Sequence, residues 1–450
     1  LLIFIITFPE KGWSLDFLAF GDLRGSIEPC GCDPRTDLGG VKRIAKLIHL
    51  DRSLNEQVTV LDLGNHFDLK ETKLTQLTQF INQAIMAIKP DVSLLNIREA
   101  RLIEQGFASI FQKRQFLISN STKSLASKAV PGKVVETLRV KDAHFFGYTW
   151  HPSFGNFFEP WSKDLENKFS KLIKNSGKNV SKILLFSGPD DHLRQFVAKG
   201  WFDEIIASNS SDTSQKMDDR EKQNPGLLLR LADPQMPVYM VPLGGQGILR
   251  GGRMKSLKPK PLPNLLIPEA QTSHFPLNMT QLGNENLFIW LDRSYEQASP
   301  LDDLMLAYNQ SIASAFLDLA KKRSLDLVDS PFSGAKACEA CHPQAYKSWQ
   351  DSGHSTAYQT LITGNKHQDE SCVSCHVLGF EEKGGFASIE LSPQFQGVQC
   401  ENCHGPRKDH IQNPFVKTEN KAKEVCVSCH HTPHSPEFDY KKYWQKIDHK

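Results

Sequence analysis

At 450 residues the chain exceeds one average domain and points to two or three. Hydrophobic residues make up 39% and charged residues 23%, the balance of an ordinary globular protein rather than of a disordered or fibrous one. A net charge of +2 gives neither the basic footprint of a nucleic-acid binder nor an acidic tail, so no nucleic-acid partner is expected.

The chain opens on an apolar run, Leu1-Leu-Ile-Phe-Ile-Ile-Thr-Phe8, closed by Pro9 and Lys11. The run is far shorter than the roughly 20 residues that span a bilayer. Residues 1–14 read as the remainder of a signal peptide, with a buried first strand as the alternative. Residues 15–20 read as a strand that leaves through Gly21-Asp22-Leu-Arg24-Gly25, and Cys30-Gly-Cys32 comes next in a loop with Pro29 and Pro34. Apolar residues at helical spacing predict helices over 41–50 and 74–88, the second stopped before Pro90. Further strands are predicted at 58–62, 92–95, 116–119, 143–149, 183–187, 205–207 and 238–242. Strands alternating with helices imply an α/β layered N-terminal domain over residues 15–254. Residues 255–330 connect it to a C-terminal domain through a Lys- and Pro-rich linker at 255–268, a strand at 286–291, and a bridging helix at 301–322 ending in Lys321-Lys-Arg323.

From residue 331 to residue 450 the chemistry changes. Cys-x-x-Cys-His occurs four times, as Cys338-Glu-Ala-Cys341-His342, Cys372-Val-Ser-Cys375-His376, Cys400-Glu-Asn-Cys403-His404 and Cys426-Val-Ser-Cys429-His430. One such dithiol could be thioredoxin-like and two could share a zinc. A His at the fifth position of all four copies is the signature of covalent haem attachment. The two thiols add across the haem vinyl groups, and the adjoining imidazole reaches the iron. Four haem c groups are therefore expected, with His342, His376, His404 and His430 as proximal ligands. Because this attachment is made outside the cytoplasmic membrane, the protein is expected to be exported, periplasmic or extracellular.

Eight of the ten cysteines serve these motifs, leaving Cys30 and Cys32. Those two are open to three readings: thiols, a tight disulfide strained by the single-residue spacer, or ligands of a metal or cluster. For the second axial position, methionine would raise the haem potential, but all seven Met lie at or before Met305. The distal candidates are the spare imidazoles His354, His367, His410, His431, His434 and His449. Few residues per haem predict that the macrocycles form most of this domain's core. Tyr346, Trp349, Tyr358, Phe395, Tyr443 and Trp444 are expected to wall them. His354 lies twelve residues beyond His342. On one continuous helix rising about 1.5 Å per residue it would lie too far away to serve the same iron, so a neighbouring haem is expected.

Two resemblances extend this reading. Gly21-Asp22-Leu-Arg24-Gly25, Glu28-Pro-Cys30-Gly-Cys32, Gly39-Gly40, Asp62-Leu-Gly64-Asn65 and Gly245-Gln-Gly247 resemble the calcineurin-like metallophosphoesterases of the 5′-nucleotidase-like branch. That family holds two metals with an Asp-x-His pair, a bridging Asp, an Asn-His-Glu motif and three later histidines. Here Asp22 keeps the first position, Arg24 replaces the His and Asn65 the bridging Asp. The Asn-His-Glu element falls on Glu99-Ala100-Arg101, the strand-end His on Gly188, and the Gly-His-x-His on Ser208-Asn209-Ser210-Ser211. No catalytic dimetal centre is expected from this set.

Residues 337–449 resemble the cytochrome c-554 family. The resemblance rests on Trp349-x-x-Ser352-x-His354, Cys400-Glu-Asn-Cys403-His404-Gly405-Pro406 and Tyr443-Trp444-x-x-Ile447-x-His449. It implies distal ligands at His354, His410 and His449 and a second haem, on His376, that can be five-coordinate. The expected protein is an exported tetrahaem cytochrome c in a mainly helical, loop-rich domain, fused to a catalytically empty phosphoesterase-like domain used for docking or assembly. It would relay electrons between redox-protein donors and acceptors. The alternatives are a small-molecule oxidoreductase at an open haem, or a haem subunit of a conducting homo-oligomer or membrane-associated assembly.

Overall fold

The computed structural model describes residues 15–29, 37–54, 56–68, 74–128, 133–208, 238–241, 247–251, 279–282, 286–296, 298–416, 422–431, 435 and 437–449. The proposed signal segment, Cys30, Cys32, the 255–268 linker and His434 lie outside them. The chain divides into two compact units, Leu1–Met305 and Leu306–Lys450.

The N-terminal unit is built on strands β1 (Phe17–Phe20), β2 (Thr59–Asp62), β3 (Val92–Ser93), β4 (Phe116–Leu117), β5 (Val134–Val135), β6 (Thr137–Val140) and β7 (Ala143–Thr149). It continues with β8 (Ser181–Ser187), β9 (Glu204–Ala207), β10 (Val238–Met240), β11 (Gly247–Gly251), β12 (Met279–Leu282) and β13 (Asn286–Trp290). One sheet runs β12-β13-β11-β1-β2-β3, the other β10-β9-β8-β7-β6, and β4 pairs with β5. β1, β2 and β3 are parallel, as are β7, β8, β9 and β10. Parallel neighbours need crossovers, which helices α1 (Val41–Leu54), α2 (Gln76–Ile88), α5 (Lys163–Asn175) and α6 (Asp190–Lys199) supply; α3 (Ile97–Glu104) and α4 (Lys123–Lys128) come after β3 and β4.

Local chemistry places these helices. Asn96 and Ser162 cap α3 and α5, their side chains accepting from Ile97 and Leu165 N–H. α6 starts on Asp190 and Asp191 and stops at left-handed Gly200. Its Leu193, Phe196 and Val197, with Leu165 and Phe169 of α5, bury against Phe146, Tyr148, Leu184 and Phe186 of β7 and β8. β1 and β2 are buried along their whole length, as expected of central parallel strands.

The α/β layering is thus as expected, and β1, β2, β7, β8 and β13 start within two residues of their predicted positions. The unit also holds α3, α5, α6 and β11, which are not among the predicted elements although the three helices carry an apolar face.

The C-terminal unit takes in most of the helix Asp302–Ser324 and a series of short helices, among them Pro343–Gln350, Ala357–Thr363, Glu370–Val373, Cys400–His404, Lys408–Gln412, Ala422–Cys429 and Tyr440–Trp444. Two expectations need correction here. His342 and His354 are not joined by one helix, because helix Pro343–Gln350 ends and residues 351–356 turn. And the unit has an apolar core of its own: Phe316, Phe332, Tyr358, Val373, Val377, Phe380, Phe386 and Phe395 pack together, so Tyr358 and Phe395 belong to protein packing.

Candidate functional site

In the N-terminal unit the ends of β1, β2, β3, β8 and β9 bring Asp22, Asn65, Asn96, Ser187 and Ser208 together, at the carboxyl edge where α/β sheets hold ligands. Asp22 is fully buried, and its Oδ1 accepts from Asn65 Nδ2 at 2.6 Å and lies 3.6 Å from Arg24 Nε. Asp22, Arg24 and Asn65 all have left-handed φ, 55°, 50° and 67°, a conformation costly for non-glycine residues. Glu99 accepts from the Asn65 and His66 amides at 2.9 and 3.1 Å. Asn96 donates to Leu63 O and Ser208 Oγ, both at 2.8 Å, and accepts from Ser187 Oγ at 2.9 Å.

This geometry corrects the assignment of Glu99-Ala100-Arg101. Asn96, at the helix start, reaches the cluster, whereas Arg101 faces solvent and pairs with Glu104 at 3.0 Å. Gly188 is filled from the side, since a Cβ there would lie 3.0 Å from Phe186 and 3.1 Å from Tyr148. Residues 209–211 lie outside the described residues. One layer deeper, Asp62 pairs with His66 Nε2 at 2.6 Å and Arg114 Nη2 at 2.8 Å. Burial alone would raise the Asp62 carboxyl, but His66 and Arg114 override it and hold the pKa at about 2. The Arg114 guanidinium lies over the rings of Phe111 and Phe116, at 5.7 and 4.7 Å.

The C-terminal unit is arranged differently. His342 faces His410 with ring centres 6.4 Å apart, His430 faces His354 at 6.1 Å, and His404 faces His449 at 6.0 Å. Two imidazoles bonded at about 2 Å to opposite sides of one metal ion have ring centres about 6 Å apart. His376 has no second imidazole opposite it among the described residues, and its Nδ1 meets Ala357 O at 2.7 Å. His367 presents its carbonyl to Tyr358 Oη at 3.1 Å. Neither it nor His431 is placed opposite a motif histidine in the described ring pairs. Burial lowers the pKa of His354, His404 and His430, which favours the neutral, metal-binding form of their rings.

The motif cysteines meet across motifs. Cys338 beside Cys400 pushes the Cys400 thiol up, and Cys375 beside Cys429 does the same to the Cys429 thiol. Burial raises the Cys403 and Cys426 thiols.

The third motif is also a clamp. Its Glu401 is 2% exposed and accepts from the amides of Ser333, Gly334 and Arg407 at 2.8–3.1 Å. Its Asn402 accepts from Gln399 N at 2.6 Å and donates to Val377 O at 3.0 Å. Beside it Gly397, at φ 79°, lets residues 354 and 355 come close: a Cβ there would lie 2.8 Å from Ser355 O and 3.0 Å from His354 O. Val398 N donates to His354 O at 3.0 Å.

Paired thiols in each motif, an adjoining imidazole, and imidazoles spaced for one ion between them fit covalently held haem. The C-terminal unit is that of a multihaem c-type cytochrome. The cytochrome c554 and c-prime family matches residues 337–405. Cytochrome c-554 of Nitrosomonas europaea is 32% identical over 186 residues, covering 30% of this chain and 78% of that protein. The multihaem cytochrome MtrA of Shewanella baltica is 26% identical over 174 residues, covering 37% of this chain and 48% of that protein, about half its length. The chain belongs to the cytochrome c-554 family.

Solved structures similar to the chain include the NAD nucleotidase NadN of Haemophilus influenzae, at a TM-score of 0.39 and 13% identity, covering 53% of this chain and 46% of that one. The calcineurin-like phosphoesterase YfkN of Bacillus subtilis has a TM-score of 0.39 and 12% identity, covering 66% and 97%. Likeness at this level stops short of defining a fold family for the N-terminal unit. Among the described residues no helix is long and apolar enough to cross a membrane.

Proposed function

We propose that the chain is a tetrahaem electron-transfer protein acting outside the cytoplasmic membrane between redox-protein partners. Each haem, when bound, supplies a one-electron ferric/ferrous couple and, where an axial position is open, a site for a small ligand. The cysteine pairs 338/341, 372/375, 400/403 and 426/429 hold the groups covalently. His342 and His410, His404 and His449, and His430 and His354 close three of the centres, and His376 ligates the fourth from one side. The observation that carries this reading is the spacing of the three imidazole pairs, 6.0–6.4 Å between ring centres. The N-terminal unit serves docking or assembly; its Asp22 carboxylate is occupied by Asn65 and Arg24 rather than presented to a metal pair.

A second reading, small-molecule chemistry at the His376 centre, follows from the five-coordinate second haem that the family resemblance implies. One experiment tests both. The denatured mass should exceed the polypeptide by four haem units, and ferric spectra should show three low-spin centres and one high-spin. His354→Ala, His410→Ala and His449→Ala should each convert one further haem to high-spin with all four still attached. A haem-free, zinc-containing protein would end the proposal, and four low-spin haems would end the second reading.

A further inference from the structure

The candidate ligand rings of the C-terminal unit differ in what holds their second nitrogen. His376, His449 and His410 meet main-chain carbonyls, those of Ala357 at 2.7 Å, Ile447 at 2.7 Å and Val416 at 3.3 Å. His430 instead meets a side chain: its Nδ1 lies 2.9 Å from Ser435 Oγ. Among the described hydrogen bonds to these rings it is the one made by a replaceable group.

We propose that Ser435 is a positioning residue that fixes the tautomer and orientation of His430 and lowers the reduction potential of the centre held there. The proposal rests on ligation of that centre by His430 and His354. With Nε2 committed to the iron, Nδ1 keeps its proton and donates it to the Ser435 hydroxyl. That bond gives the ring more imidazolate character, which makes it a stronger donor and favours the ferric state.

The surroundings make the bond directional. Ser435 is tied through its main chain, its N–H donating to His431 O at 2.8 Å and its carbonyl accepting from Phe438 N at 3.0 Å. Phe438 then stacks on the His430 ring at 5.0 Å with a 10° interplanar angle, and Tyr443 meets its edge at 5.4 Å. The aromatics confine the ring to a slot. Ser435 holds Nδ1 within that slot and so fixes the rotation of the ring that stands 6.1 Å, centre to centre, from His354.

The test is a potentiometric titration of the holoprotein monitored by electron paramagnetic resonance, which resolves the low-spin centres individually. Ser435→Ala should move one centre to higher potential and alter its g-values, leaving the others in place. At a fixed poise its ferrous-to-ferric ratio should rise about 2- to 10-fold, the equilibrium weight of one hydrogen bond. Ser435→Thr keeps the hydroxyl and should restore the original value, whereas Ser435→Val should behave like the alanine variant. The valine and threonine pair decides the matter if the alanine variant loses haem. No shift in the hydroxyl-free variant, or an equal shift of all centres, overturns the proposal. Failure of the ligation scheme reads out separately, as a wrong haem mass or a wrong low-spin count in the unsubstituted protein.

Discussion

In the N-terminal unit the buried carboxylates of Asp22, Asp62 and Glu99 are each met by groups of the same chain. In the C-terminal unit three pairs of half-buried or exposed imidazoles face one another at 6.0–6.4 Å, too far for a hydrogen bond and near enough for one shared ion. The first centre is complete in the polypeptide alone. The second sets its imidazoles in pairs with no hydrogen bond between the partners. Two units of one chain are therefore held differently: by ion pairing and apolar burial in one, by a small apolar core in the other.

That contrast is broken most severely by opening the self-sufficient side. Arg114→Ala leaves the Asp62 carboxylate at 0% exposure with one partner fewer and should cost about 3–5 kcal/mol, the usual penalty for uncovering a buried charge. Urea unfolding monitored by far-ultraviolet dichroism should show this loss in the N-terminal unit while the haem spectrum keeps its low-spin bands. A Soret change of similar size would mean that the two units do not stand apart energetically.

Gly397→Ala attacks the other side without touching a ligand. A side chain at φ 79° and 2.8 Å from Ser355 O combines left-handed strain with overpacking, together about 3 kcal/mol. The backbone of His354 must yield, so a fraction of one haem should turn high-spin with four haems still attached. An unchanged low-spin spectrum would show that His354 is held from elsewhere.

The smallest effect concerns acid. The Asp62 pKa is depressed to about 2 from an ordinary value near 3.8, so its stabilisation is fully present above pH 4 and fades as pH falls through about 2. The amount is roughly 2 kcal/mol. Asp62→Asn should lower stability at neutral pH and flatten the profile between pH 4 and pH 2. An equally steep profile in that variant would assign the acid loss to other carboxylates.

The same contrast governs what is legible in the sequence. Covalent haem chemistry sits within five consecutive residues, so the four motifs read directly, as do strands whose apolar runs are local. His354 and His410 stand opposite His430 and His342 through folding over 76 and 68 residues, and spacing rules carry no such information. For His354 the expectation of a neighbouring haem rests on a helix that in fact ends at Gln350. The histidine meets its distant partner by another route, through Gly397 and Val398. Asn96 is hidden for a similar reason. Its helix cap is visible in outline, but its bonds to Ser187 and Ser208 span 91 and 112 residues. Tyr358 and Phe395 read as haem walls because an aromatic in a Cys/His-rich segment gives no sign of which apolar surface it will meet.

One detail of the third motif bears on whether the four signatures could be exchanged. Motifs two and four carry Val-Ser between their cysteines, and the serine hydroxyls reach back within their own turns, to Ser371 O and Val425 O. Motif three carries the Glu401-Asn402 clamp instead. Writing Val-Ser into positions 401 and 402 would preserve every atom that bonds a haem yet cut the ties to Ser333, Gly334, Val377 and Arg407. Three positions of that pentapeptide speak to the prosthetic group and two speak to the rest of the chain. A transplanted copy would be chemically competent and topologically homeless.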